Sequence, residues 1–161
     1  ALYQRSPETP SLLREQVMMG GLYGGPVAGY GPAERNIGSD VAAAEVVLRS
    51  GVPLRCVGLE VTTQCTLPTQ ECRARLRSVP LLVELCERWA RQGREEIRFH
   101  DPLAAACVFE PHLCEFKRGT IHLESDGVTR FEPDPAGPHQ VACSVDAQRF
   151  FQHFFQILGC W

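Results

Sequence analysis

Residues 20–32 hold six glycines and two prolines, and this segment separates two short apolar runs. No other feature of the chain constrains the fold as strongly. Ahead of it, Gln16-Val17-Met18-Met19 reads as a buried strand ended by Gly20-Gly21. Behind it, Ser39 or Asp40 can cap a helix running through Arg49, with Gly51 closing it in the left-handed conformation. Pro53 then leads into residues 54–61 (LRCVGLEV), a second buried strand. A strand, a long loop, a helix and a strand in that order predict a parallel α/β unit, with a sheet flanked by helices. A loop of this length inside a compact domain is usually functional or disordered.

The remaining segments extend the same architecture. Residues 1–14 read as the tail of a helix, broken by Pro7 and Pro10. Residues 68–92 carry two helical stretches, the second (81–91) amphipathic, and the charged segment 91–98 reads as a loop or a frayed helix end. His100-Asp101-Pro102 opens a further helix, with Pro102 suited to its first turn. Residues 120–123 and 140–145 read as strands separated by a turn-rich segment, and a closing helix over 146–158 is apolar at Phe150, Phe151, Phe154, Phe155 and Leu158.

At 161 residues and 44% hydrophobic, the chain is long enough for one domain with a real core. Its net charge of -3 has no like-charge run, which argues against a nucleic-acid groove or a membrane-binding face. Its apolar stretches are too short to cross a bilayer. None of the eight cysteines forms a C-x-x-C pair or stands beside a His at zinc-finger spacing. Cys56, Cys86, Cys107 and Cys143 lie in apolar segments where a free thiol packs as a small hydrophobe, so reduced cysteines and a cytoplasmic location are expected.

Three constellations could carry chemistry. The glycine loop follows a strand but lacks the Lys-Ser/Thr ending of a P-loop and the glycine register of a dinucleotide site. Glu34 and Asn36 share one side of any extended segment, where a carboxylate and a carboxamide can bind vicinal hydroxyls. Spacing alone favours the plainer reading, a polar loop pair with no ligand. His100-Asp101 pairs an imidazole acid with a carboxylate suited to a hard cation, although the dipeptide alone favours the plain reading of Asp101 as a helix N-cap.

The order of these pieces is more specific than any one of them. M-G-G (Met19 to Gly21), the glycine loop, E-R-N-I-x-x-D (Glu34 to Asp40), L-E-V-T (Leu59 to Thr62) and H-D-P-L-A-A-A (His100 to Ala106) follow in turn. The series resembles inosine–uridine-preferring nucleoside hydrolases, over nearly the whole chain. The resemblance implies a Rossmann-like, mostly parallel sheet and hydrolysis of the N-glycosidic bond of ribonucleosides to base and ribose. It implies that Glu34 and Asn36 bind ribose hydroxyls, that Met19 packs near the sugar, that His100 assists the departing base and that Asp101 is a calcium ligand. Residues 88–99 would form the flap over the base, and the complete enzyme would be a homo-oligomer.

Two departures from the family pattern stand out. Arg35 replaces the aromatic usual between the Glu and the Asn, and no D-x-D-x-x-x-D-D calcium cluster occurs among these residues. The chain therefore corresponds to the carboxy-terminal portion of one nucleoside hydrolase-like domain. It is expected to be inactive alone, with an uncovered sheet edge that favours self-association. A non-catalytic nucleoside- or ribose-binding protein is the alternative reading.

Overall fold

The computed structural model describes residues 2–160. In chain order the elements are α1 (Leu2–Arg5), α2 (Thr9–Leu12), β1 (Gln16–Met19), α3 (Arg35–Ser39), α4 (Val41–Leu48), β2 (Leu54–Val57), α5 (Leu59–Thr62), β3 (Thr66–Pro68), α6 (Thr69–Arg75) and α7 (Pro80–Arg91). They continue with β4 (Glu96–Arg98), α8 (His100–Phe109), a 3-10 turn (Pro111–Leu113), β5 (Cys114–Leu123), β6 (Thr129–Pro133), β7 (His139–Val145) and α9 (Ala147–Ile157).

The main sheet has the order β1-β2-β7-β5-β6. Strands β1, β2 and β7 run parallel, and β5 and β6 add an antiparallel hairpin on the β7 side. All four residues of β2 are buried, as a central parallel strand covered on both faces must be. The strand–loop–helix–strand unit forms as its residue order predicts. Asp40 is the residue that caps α4, accepting the Ala43 N–H at 2.9 Å, and Gly51 takes φ 75° in the turn that follows.

Several boundaries differ from the sequence reading. The strand over 54–61 stops at Val57, because Gly58 starts the single-turn helix α5 and Leu59 donates its N–H back to the Gly21 carbonyl. The segment 91–98 is not merely a loop: residues 96–98 pair antiparallel with β3 as a separate two-stranded sheet. The turn-rich stretch between the later strands contains β6, and the strand expected at 120–123 begins at Cys114. Both errors have one cause, since a half-exposed antiparallel hairpin needs only alternate apolar residues and presents no continuous apolar run. Where one helix tail was expected, Leu2–Arg5 and Thr9–Leu12 form two separate single turns. Cys143 is exposed, on the part of β7 beyond the residues paired with β2.

The larger core lies on the face covered by α8 and α9. Phe150 is fully buried and contributes roughly 1.5–3 kcal/mol by its burial. Phe99 meets Phe150, Phe151 and Phe154 edge-on at centroid separations of 6.1, 5.2 and 5.3 Å. That aromatic cluster fixes the residue immediately before His100. Leu103 and Cys107, both fully buried, hold α8 against the same core.

Candidate active site

The carboxyl ends of β1 and β2 lie side by side, with Met19 opposite Val57, and this is where open parallel sheets offer a ligand crevice. Glu34 reaches that edge from the glycine loop. Its carboxylate is buried and accepts three backbone N–H bonds, from Asn36 at 2.8 Å, Ile37 at 3.1 Å and Gly21 at 3.1 Å. Two of these cap α3, so Glu34 and Asn36 are not alternate residues of an extended segment. Glu34 is the N-cap and Asn36 lies within the first turn of the helix. Three of the carboxylate's roughly four acceptor positions are thereby taken, leaving one for a ligand hydroxyl.

Asn36 turns toward β1, its amide Nδ2 donating to the Met19 carbonyl at 3.3 Å and lying 3.2 Å from the Met19 sulfur. Met19, Glu34 and Asn36 are therefore one connected group, which their separation in sequence does not require. Glu34 is buried, Met19 half-buried and Asn36 exposed, so the group presents a polar outer edge.

His100 and Asp101 open α8 beside a cavity of about 750 Å³, whose lining includes Tyr30, Trp89, Arg98 and Phe99 as well as this pair. Met19, Glu34 and Asn36 lie outside that lining. His100 Nδ1 is 2.7 Å from the hydroxyl of the fully buried Thr62, on the turn that directly follows β2. Burial lowers the His100 pKa from the ordinary histidine value, and the Arg98 guanidinium lowers it further. The charges of Asp101 and Glu34 oppose that shift. Asp101 is exposed, and its carboxylate makes no hydrogen bond or ion pair among the described residues. It is therefore not the N-cap, a position that falls to Phe99 with no side-chain bond.

Residues outside the sequence expectations complete the edge. Glu60, from the L-E-V-T motif, accepts the backbone N–H groups of Tyr23 at 3.1 Å and Gly24 at 2.9 Å through one oxygen. Its other oxygen is buried without a partner, and burial raises its pKa. Tyr30, near the end of the glycine loop, accepts a 2.7 Å hydrogen bond from Arg98 across the cavity mouth. Thr62 and Glu60 carried a signal in their motif, while the Tyr30–Arg98 bond crosses 68 residues and left no trace in the sequence.

Among the described residues no group of three His, Cys, Asp or Glu side chains is arranged to hold a metal ion. Calcium takes six to eight oxygen ligands, so Asp101 could supply one position but these residues do not form a cage.

The family profile described as inosine-uridine preferring nucleoside hydrolase matches residues 1–152. Probable uridine nucleosidase 1 of Oryza sativa subsp. japonica is 29% identical, over 78% of this chain and 41% of its own length. The non-specific ribonucleoside hydrolase RihC of Salmonella heidelberg is 30% identical, over 99% of this chain and 56% of its own length. The solved purine-preferring ribonucleoside hydrolase of Gardnerella vaginalis superposes with a TM-score of 0.78 at 26% identity, covering 98% of this chain and 56% of that one. The chain thus spans about two-fifths to just over half the length of the relatives it matches. Its sequence profile and its fold agree: the chain belongs to the inosine–uridine-preferring nucleoside hydrolase family.

Proposed function

We propose that this chain supplies the ribose- and base-facing part of a site that hydrolyses the N-glycosidic bond of ribonucleosides, releasing base and ribose. The observation that carries this is the convergence of Met19, Glu34 and Asn36 at the β1 edge, with the Glu34 charge acting on His100 at the head of the cavity that His100 and Asp101 line. The one free acceptor position of Glu34 takes a ribose hydroxyl, and the Asn36 amide takes its neighbour. Met19 packs against the sugar. The His100 ring assists protonation of the departing base, which lowers the barrier to expelling a nitrogen anion.

Cleavage of a glycosidic bond passes through an oxocarbenium-like state, stabilised by nearby negative charge such as that of Glu34. In the complete site Asp101 would be one oxygen ligand of a calcium ion, which polarises an attacking water when bound. The domain is completed by the segment carrying the remaining acidic ligands, and the complete protein is a homo-oligomer. As an isolated chain, residues 1–161 bind nucleoside without turning it over.

Two measurements test this reading. Calorimetric titration of the chain with inosine and with uridine should show binding that Glu34→Ala and Asn36→Ala abolish. Free-base release should stay at background until the amino-terminal part of a relative is joined to the chain, and should then fall on His100→Ala. Absence of nucleoside binding in both forms would overturn the proposal. Binding by the joined form that a chelator leaves intact, with no base release, would favour a non-catalytic nucleoside-binding protein.

A further inference from the structure

The cluster that the proposed chemistry leaves unused lies at the other end of α8. Cys107, in its last turns, and Cys114, the first residue of β5, hold their sulfurs 3.7 Å apart in the core. Arg55 from β2 reaches the same place, where its Nη1 donates to the Cys107 carbonyl at 3.0 Å, its Nη2 pairs with Glu15 at 2.7 Å and its Nε is buried with no partner. A guanidinium held in the core at the Cys107 backbone is a positive charge close enough to favour the thiolate there. The charges act in that sense: the hydrogen bond shared with Cys114 lowers the Cys107 pKa, Arg55 lowers it further, and burial opposes both. The Cys114 thiol is held protonated by that same hydrogen bond and by burial.

We propose that Cys107 and Cys114 form a peroxide-sensitive dithiol, with Cys107 the attacking sulfur and Cys114 the resolving one. Cys107 thiolate attacks one oxygen of hydrogen peroxide and the O–O bond breaks, giving a sulfenic acid and a hydroxide that takes up a proton as water. The Cys114 sulfur then attacks the sulfenic sulfur, the S–O bond breaks, and the hydroxyl leaves with the thiol proton as a second water. Two thiols and one peroxide thus give one disulfide and two waters. The sulfurs must close from 3.7 Å to bonding distance. Both thiols are buried, so the oxidant enters by local opening of the last turn of α8, where Phe109 is 80% exposed. The bond would tie the end of the helix that begins with His100 to the start of β5.

The experiment uses the chain as it stands. After exposure to hydrogen peroxide, the protein is unfolded in excess alkylating agent, cleaved after aromatic residues with chymotrypsin and weighed by mass spectrometry. Cleavage after Phe109 separates the two cysteines, so a disulfide appears as two joined fragments lighter by two hydrogens. That species is expected while Cys65 and Cys72, whose thiols burial pushes up to about 12, remain fully alkylated. Full alkylation of both Cys107 and Cys114 at a peroxide exposure that has already oxidised the exposed Cys143 would overturn the proposal. Order of attack is read with a 1,3-dicarbonyl trap: Cys114→Ser should leave an adduct on Cys107. An adduct on Cys114 in Cys107→Ser, with none on Cys107 in the other variant, would overturn the assigned direction. If either variant does not fold, the wild-type fragment masses still decide.

Discussion

The Thr62 hydroxyl lies 2.7 Å from His100 Nδ1 and 3.2 Å from the Leu59 carbonyl oxygen, joining the turn after β2 to the first residue of α8. A hydroxyl has a single proton, and a carbonyl oxygen only accepts. Both contacts are hydrogen bonds only when Nδ1 carries hydrogen and donates to Thr62, which donates in turn to Leu59. The neutral ring then has its lone pair at Nε2, the nitrogen that must pick up a proton before it can give one away.

Imidazole nitrogen NMR of the isolated chain should therefore show neutral His100 with hydrogen on Nδ1. Thr62→Val should move it to Nε2 and lower stability by roughly 0.5–1.5 kcal/mol, the typical net worth of one buried hydrogen bond. Thr62→Ser should restore the original form. A wild-type ring already protonated on Nε2 would show that Thr62 donates to the ring instead.

The lowered His100 pKa sets a pH dependence of stability. The ordinary value is 6.5, and the folded value lies below it. Between the two, the unfolded chain binds more protons than the folded one, so stability rises with pH through that window. The contribution is fully present above 6.5 and is lost as pH falls through the folded value. Asp101→Asn removes a charge that raises the pKa and should lower it further, whereas Arg98→Gln should raise it. Proton NMR titration of the His100 ring reads both, and shifts in the opposite directions would contradict the geometry.

Glu34 and Glu60 should respond oppositely to the same substitution. Glu34→Gln replaces an acceptor of three N–H groups by an amide with one oxygen, and should cost about 1–3 kcal/mol for the backbone donors left unpaired. Glu60 bonds both of its N–H partners through one oxygen, and its other is buried unpartnered. Glu60→Gln retains the one acceptor oxygen and removes the buried charge, so stability at pH 7 should hold or rise. Because burial raises the Glu60 pKa from 4.5, wild-type stability from this group declines as pH climbs above that value, and the variant lacks the decline. Urea midpoints across pH settle both cases.

Strand β1 forms an edge of the main sheet, and Leu12 and Leu13, just before it, are 77% and 39% exposed. An edge with unpaired backbone groups beside exposed apolar side chains pairs readily with other chains. Sedimentation of the isolated chain should show concentration-dependent association, and Val17→Lys on β1 should weaken it. A single monomeric species at all concentrations would mean that this edge is protected.

The parallel unit was legible because its strands are continuous apolar runs, its helix carries a capping Asp40 and its turn needs Gly51. Strands β4 and β6 were not, since each is short and half-exposed, and β4 is held by a strand that lies two helices earlier in the chain. Among the site residues, the identities of Met19, Glu34, Asn36, His100 and Asp101 came from motif order. The arrangement read for two of them did not survive, because the Glu34 carboxylate can bond the N–H groups behind it and so turns an expected extended segment into a helix start.

What the sequence determined by itself is therefore local: which segments are apolar enough to be central strands, where helices start and stop, and which side chains have the chemistry for a sugar or a base. Tertiary structure alone decided that Thr62 meets His100, that Tyr30 bonds Arg98 across the cavity and that Arg55 stands beside Cys107. These contacts join residues 38, 68 and 52 positions apart. Local propensity and capping act within a few residues, whereas such pairings exist only once parallel strands have brought distant segments to a common edge.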